Sequence, residues 1–275
     1  MHTRSFVAAG LAVLGLVSGC AAESGGAESD GEPEAAATDA IVGGAETKAV
    51  AAVGYLVAVL KKGDKTYTTG PFCTGTLIAP DVVLSAGHCF PEGRPAPEGY
   101  TLAGFAFGTG TVDAGELTMV STLETHPKFT AEHDYQHDVA WLVLEKPVRN
   151  VAVGKVRRSA HRGHCDYVAI GYGVNKEGAF PDDELAPGES GVRKSLAMCA
   201  DRGLVEGMIQ TYNGDRGTPC YGDSGGALRV KDTMEIVGVT SFGTSGCEKN
   251  GYVYYAPLAK NLDFIDEGLA RSKHR

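Results

Sequence analysis

GTLIAPDVVLSAGHC, residues 75–89, is the stretch from which the fold is read. Two short apolar runs, 75–79 and 82–85, are broken by Pro80 and Asp81, and the second leads straight into Ala86-Gly87-His88-Cys89. Runs this short between turn-forming residues read as strands, not helices. The pattern continues in both directions, with candidate strands at 53–60, 102–107, 117–122, 139–144, 167–170, 204–210, 227–230, 235–242 and 252–255. Their number and spacing suit a β-sandwich or a β-barrel, and periodicity does not separate the two. The 38 glycines favour many tight turns, in keeping with a β-rich chain. A helical pattern occurs at the end, over 257–270, with Leu262, Ile265 and Leu269 at spacings of three and four.

The first 40 residues read differently. Arg4 followed by the apolar run Phe6 to Val17 has the build of an export signal over 1–20, too short for a comfortable membrane span. It ends in Val17-Ser18-Gly19-Cys20, which resembles a bacterial lipobox and makes Cys20 a lipidation candidate. Residues 21–40 are small and acidic, with six carboxylates and no aromatic residue. Such a segment buries too little apolar area to offset its ordering entropy, and reads as a disordered tether or propeptide. The chain carries −9 overall but −4 from residue 41 onward, so the acidity belongs largely to the tether. With no lysine/arginine block, nucleic acid is not an expected partner.

Six cysteines remain beyond Cys20: 73, 89, 165, 199, 220 and 247. An even count in an exported chain points to three disulfides, although six cysteines allow fifteen connectivities. No CxxC pair occurs, which opposes a zinc site.

Three segments carry chemistry. In Gly222-Asp223-Ser224-Gly225-Gly226 a serine sits among glycines, where backbone can approach a substrate closely, and the amides of Gly222 and Ser224 are candidates for an oxyanion hole. A serine hydroxyl is a weak nucleophile that needs an adjacent base, and His88, at the end of an apolar strand and beside a cysteine, offers one. An imidazole base needs an orienting carboxylate, and Asp138 lies just before the apolar run VAWLVL. A G-x-S-x-G esterase of another fold also fits the serine motif, but not the other motifs that follow.

Together the segments resemble the chymotrypsin/trypsin family: IVGG at 41–44, AGHC at 86–89, HDVAWLVL at 137–144, GYG at 171–173, CYGDSGGAL at 220–228 and SFG at 241–243, in that family's His…Asp…Ser order. The resemblance covers about 41–266 and defines 41–275 as a protease domain. It implies two packed six-stranded antiparallel β-barrels with a C-terminal helix, and His88, Asp138 and Ser224 as a catalytic triad in the cleft between them. It implies synthesis as a proenzyme, in which a cut before Ile41 frees an α-ammonium that pairs with Asp223. It also implies the disulfides Cys73–Cys89 and Cys220–Cys247, leaving Cys165 and Cys199 as the remaining pair.

Cleavage after Lys or Arg needs a carboxylate at the pocket floor, but the matching residue here is Thr218. Counting back from Asp263-Phe264-Ile265, similar to the family's DWI, puts Val253 at the pocket wall where trypsin has Gly, with Gly243 opposite. Ser241, Phe242 and Gly243 match the strand that pairs with substrate backbone. The implied activity is a serine endopeptidase that cuts after small or medium apolar residues. Ala40 before the activation site then invites self-processing. No cofactor or metal is implied; His126, His133 and His137 fall in the variable loop before the aspartate. The expected partners are protein or peptide substrates, the expected state is a monomer, and the expected location is exported, secreted or on the cell envelope. A non-catalytic binding module on this fold is the competing expectation, although such a module would lack a triad member. The polar stretch 173–191 reads as an exposed loop.

Overall fold

The computed structural model describes residues 41–93, 96–112, 114–130, 134–174, 192–244 and 246–274. The signal, the tether, Cys20, His133 and nearly all of the 173–191 stretch lie outside them. The strands are β1 Ala45–Glu46, β2 Val53–Lys62, β3 Lys65–Thr68, β4 Cys73–Ala79, β5 Val82–Ser85, β6 Thr101–Gly108, β7 Leu117–Thr125, β8 Ala140–Leu144, β9 Lys155–Val156, β10 Tyr167–Gly171, β11 Lys194–Ala200, β12 Ile209–Tyr212, β13 Ala227–Val230, β14 Glu235–Gly243 and β15 Tyr252–Pro257; the helix α1 spans Leu262–Ala270.

Pairing resolves the choice between sandwich and barrel. The order β2-β4-β5-β8-β7-β6 closes through β6 back onto β2, giving one six-stranded antiparallel barrel. The order β11-β10-β13-β14-β15-β12 closes through β12 onto β11, giving a second. The short strands β3, β1 and β9 attach outside these closed paths. Closure removes the sheet edges that would otherwise template aggregation.

β2 is buried along Val53–Leu60 on both faces, which is why VGYLVAVL shows no polar alternation. One apolar cluster fills the first barrel and continues through Ile170, Tyr172, Val239 and Leu258. A smaller one, with Ile41, Leu196, Met198, Val253 and Tyr255, fills the second.

Three elements differ from the sequence reading. β11 has no apolar run to announce it, since its inner face alternates Lys194, Leu196 and Met198 with partly exposed residues. The candidate strand at 204–210 contains a turn: Glu206 and Gly207 both adopt positive φ, Val205 bridges Met208, and β12 starts only at Ile209. The helix begins at Leu262, because Pro257 ends β15 and Leu258–Lys260 form a 3-10 turn. Phe264, Ile265 and Gly268 form its buried face.

Gly268 lets α1 lie against the first barrel. A Cβ there would come within 2.5 Å of the Trp141 ring. Gly268→Ala is expected to destabilise by about 1–3 kcal/mol through overpacking. Thermal unfolding should show a drop of roughly 2–4 °C per kcal/mol in a chain of this size; an unchanged Tm would refute this packing.

Candidate active site

Each expected triad residue stands beside the end of a regular element. His88 lies in the 3-10 turn Gly87–Cys89, directly after β5 and its following Ala86. Cys89 in that turn is disulfide-bonded to Cys73 at the start of β4, which ties the histidine turn to the barrel wall. Asp138 follows the 3-10 turn Tyr135–His137 and precedes β8. Ser224 lies in the turn before β13. Thus the first barrel supplies His88 and Asp138, and the second supplies Ser224.

Asp138 is wholly buried, and three donors satisfy its carboxylate. The His88 backbone N–H donates to Oδ1 at 2.8 Å, and the ring Nδ1 faces Oδ2 at 2.7 Å. The Ser241 hydroxyl donates to Oδ2 at 2.5 Å. Ser241 reaches it because β14 carries a bulge there: Thr240 pairs with Tyr255 and Phe242 with Tyr254, leaving Ser241 as the extra residue. A bulge beside a site re-aims a side chain in this way. With the Nδ1 proton held by a carboxylate, the neutral ring has its lone pair on Nε2, the form a base requires.

His88 and Ser224 line one cavity of about 410 Å³. Among the described residues, neither His88 Nε2 nor Ser224 Oγ has a hydrogen-bond partner, and the same holds for the N–H groups of Gly222 and Ser224. Contacts of this kind tighten when substrate arrives. The cavity continues past Pro219, Gly243, Cys247 and Val253, and among the described residues no carboxylate or lysine lines it. Thr218 is not one of them: its hydroxyl donates to the Pro219 carbonyl and its amide donates to Val42. Pro219, which the sequence reading passed over, is among the lining residues. Tyr135 joins the rim, its ring 4.8 Å from Phe242, which in turn stacks on Tyr254 at 4.7 Å. The signal for Tyr135 was its place three residues before Asp138.

Ile41 and Asp223 are both buried inside the second barrel's side of the molecule. Ile41 has φ of 54°, uncommon for a β-branched residue, and Val42 bridges Thr218. Asp223 accepts from the N–H of Gly173 and of Cys220, each at 2.8 Å. Burial pushes its carboxyl up to about 7, against the pull of those two donors. The GYG motif gains a steric meaning here. A Cβ on Gly171 would lie 2.0 Å from Asp223 Oδ1, and one on Gly173 would lie 2.6 Å from its Cγ.

Cys220–Cys247 and Cys165–Cys199 are also bonded, with Cα separations of 4.8 and 3.8 Å. The first joins the serine turn to the loop opposite it across the cavity; the second links the segment before β10 to β11. His126 and His137 stack at 4.5 Å, away from the cavity lining. The group Cys73, His88 and Cys89 has metal-like proximity, but both sulfurs are committed to a disulfide.

With this geometry in place, the comparisons are direct. A sequence model of the trypsin family matches residues 41–265. The chain is 29% identical over 250 residues to trypsin zeta of Drosophila melanogaster, covering 84% of this chain and 86% of that one. It is 28% identical over 219 residues to a trypsin of Saccharopolyspora erythraea, covering 72% and 87%. The fold of neuropsin, a serine protease expressed in the limbic system of mouse brain, superposes with a TM-score of 0.62 at 18% identity, covering 83% of this chain and 100% of that one. The chain belongs to the trypsin family of serine proteases.

Proposed function

We propose that this chain is an exported serine endopeptidase, made as a proenzyme, that cleaves peptide bonds after small or medium apolar residues. The observation that carries the reading is the buried Asp138 carboxylate, bonded to both the backbone and the ring of His88 on a cavity shared with Ser224. Ser224 Oγ attacks the scissile carbonyl while His88 Nε2 takes its proton. The tetrahedral oxyanion is received by the amides of Gly222 and Ser224. His88 then returns the proton to the leaving amine, and the acyl-enzyme is hydrolysed by the same steps run with water. Asp138 holds the ring tautomer and stabilises the imidazolium. The exposed end of β14 at Phe242–Gly243, with Ser241 before it, supports substrate backbone as an added strand.

The absence of carboxylates among the described lining residues supports the specificity. A lysine entering the cavity would find no carboxylate, and burying an unpaired charge is costly. Val253 fills space that a larger side chain would need. Val253→Gly is expected to raise kcat/KM for a Phe peptide relative to an Ala peptide by about 10- to 100-fold, the worth of a few methylenes in an apolar pocket. An unchanged ratio would remove Val253 from the pocket.

A cut at Ala40–Ile41 frees the ammonium that Asp223 receives, and an Ala before the bond suits the enzyme's own pocket. Lipidation at Cys20 would place the uncut chain on a membrane, and the same cut would release a monomeric catalytic domain. The test is N-terminal sequencing of the mature protein, with the same sample assayed on peptides having Ala, Val, Leu, Phe and Arg before the scissile bond. Ile41 at the N-terminus and hydrolysis after Ala or Val support the reading. An Ile41 start with no hydrolysis by the wild-type chain favours the non-catalytic binding module.

A further inference from the structure

Asp138 follows a turn of only three residues, Tyr135–His137, and every donor to its carboxylate comes from other segments. The turn needs its own anchor, and Asn261, the residue before α1, provides it. Asn261 is 1% exposed. Its Nδ2 donates to the carbonyls of Gln136 and Pro257, each at 2.9 Å. With both amide hydrogens committed, its oxygen is the acceptor, and it faces His137 Nδ1 at 2.7 Å. His137 donates from Nδ1 in its neutral and its charged form, so the link does not depend on pH. Its Nε2 faces Asp134 Oδ2 at 3.9 Å, and its ring stacks on His126. Burial, with the neighbouring His137 and Lys128 opposing Asp134, lowers His126 to about 4, so the His126 ring is neutral at neutral pH. Lys260 Nζ adds a bond to the Gln136 side chain at 2.7 Å. Two consecutive residues directly before the C-terminal helix therefore grip the two residues before Asp138.

We propose that Asn261 is a positioning residue for the proteolytic reaction: it fixes the Gln136–His137 peptide and the His137 ring, and through them the backbone from which the Asp138 carboxylate meets His88. Constellations of this kind must be held within roughly 0.5 Å and 10–20° to remain productive. The inference rests on the protease reading above, and it ties the C-terminal helix to the orientation of the base.

The test compares Asn261→Ala, His137→Ala and the double variant on an Ala peptide, with Asp81→Asn as control. Asp81 accepts from Ser272 and Lys273 beyond the far end of α1, so its variant loosens the helix without touching the turn. N261A is expected to lower kcat about 10-fold with KM within about twofold, the size of effect a small misplacement produces. The acid limb of kcat/KM should move to lower pH, because a less well aimed carboxylate stabilises the His88 imidazolium less. H137A should behave alike and carries the test if N261A does not fold. The double variant should lose no more than either single one. D81N should lower Tm while leaving kcat and the acid limb in place. An active wild-type chain whose folded N261A and H137A variants keep kcat and the acid limb overturns this inference alone. A wild-type chain with no hydrolysis overturns the protease reading and this inference with it.

Discussion

Asp138→Asn should lower kcat by about 10⁴-fold, the size this exchange has in trypsin-type enzymes. The local geometry says why the loss should be that large. Oδ1 accepts the His88 N–H, while Oδ2 accepts both the His88 ring and the Ser241 hydroxyl. An amide can replace only one of these oxygens. With its NH₂ in the Oδ2 place it becomes a donor to Nδ1, so the ring proton moves to Nε2 and points at Ser224. The ring then cannot accept the serine proton. The other orientation sets the NH₂ against the His88 N–H, donor against donor, at a fully buried position. Either way the negative charge that stabilises the imidazolium is gone. Turnover measured beside a Tm check separates this from unfolding. A loss under 10-fold in a folded variant would mean that Asp138 is not the orienting group.

The second large effect concerns activation. A chain that cannot be cut at Ala40–Ile41, such as Ala40→Glu, should be about 10²- to 10⁴-fold less active than the cut form, since leaving one member of a buried pair alone typically costs about 3–5 kcal/mol. Asp223→Asn in the cut form should be similarly impaired. The buried carboxylate also makes a prediction about pH. Its folded value of about 7 lies above the ordinary 3.8. The folded uncut chain therefore holds a proton that the unfolded chain has released, and its stability falls as pH rises from about 4 to about 7. Pairing with the Ile41 ammonium favours the carboxylate and removes that loss. Urea unfolding of Ser224→Ala, with and without the propeptide, checks this: the uncut protein should weaken across that window and the cut protein should not. Equal pH profiles would refute the pairing. The S224A protein should also keep its propeptide when no other protease is added; removal at the wild-type rate would refute self-processing.

Much of the architecture was legible because short apolar runs between turn residues leave few alternatives. The runs at 53–60, 82–85, 139–144 and 227–230 became β2, β5, β8 and β13 with little change at their ends. β11 was not legible, because its inner face opens with Lys194 and a single strand of mixed residues carries no two-residue alternation strong enough to read. The turn inside 204–210 and the true start of α1 were missed because Gly207 and Pro257 act through backbone geometry that depends on their neighbours.

Membership of the trypsin family was legible in local stretches of sequence. A serine among glycines, a histidine beside a cysteine and an aspartate before an apolar strand are local patterns, and their order along the chain belongs to the trypsin family. How those groups are held is a matter of long-range packing. Ser241 reaches Asp138 through a bulge 103 residues away along the chain. Pro219 lines the cavity while the hydroxyl of the adjacent Thr218 donates to the Pro219 carbonyl. Asn261 grips the turn before Asp138 from across 124 residues. Each depends on where a side chain points once two barrels have closed, and closure is set by strand register and packing over long separations, which no local pattern encodes.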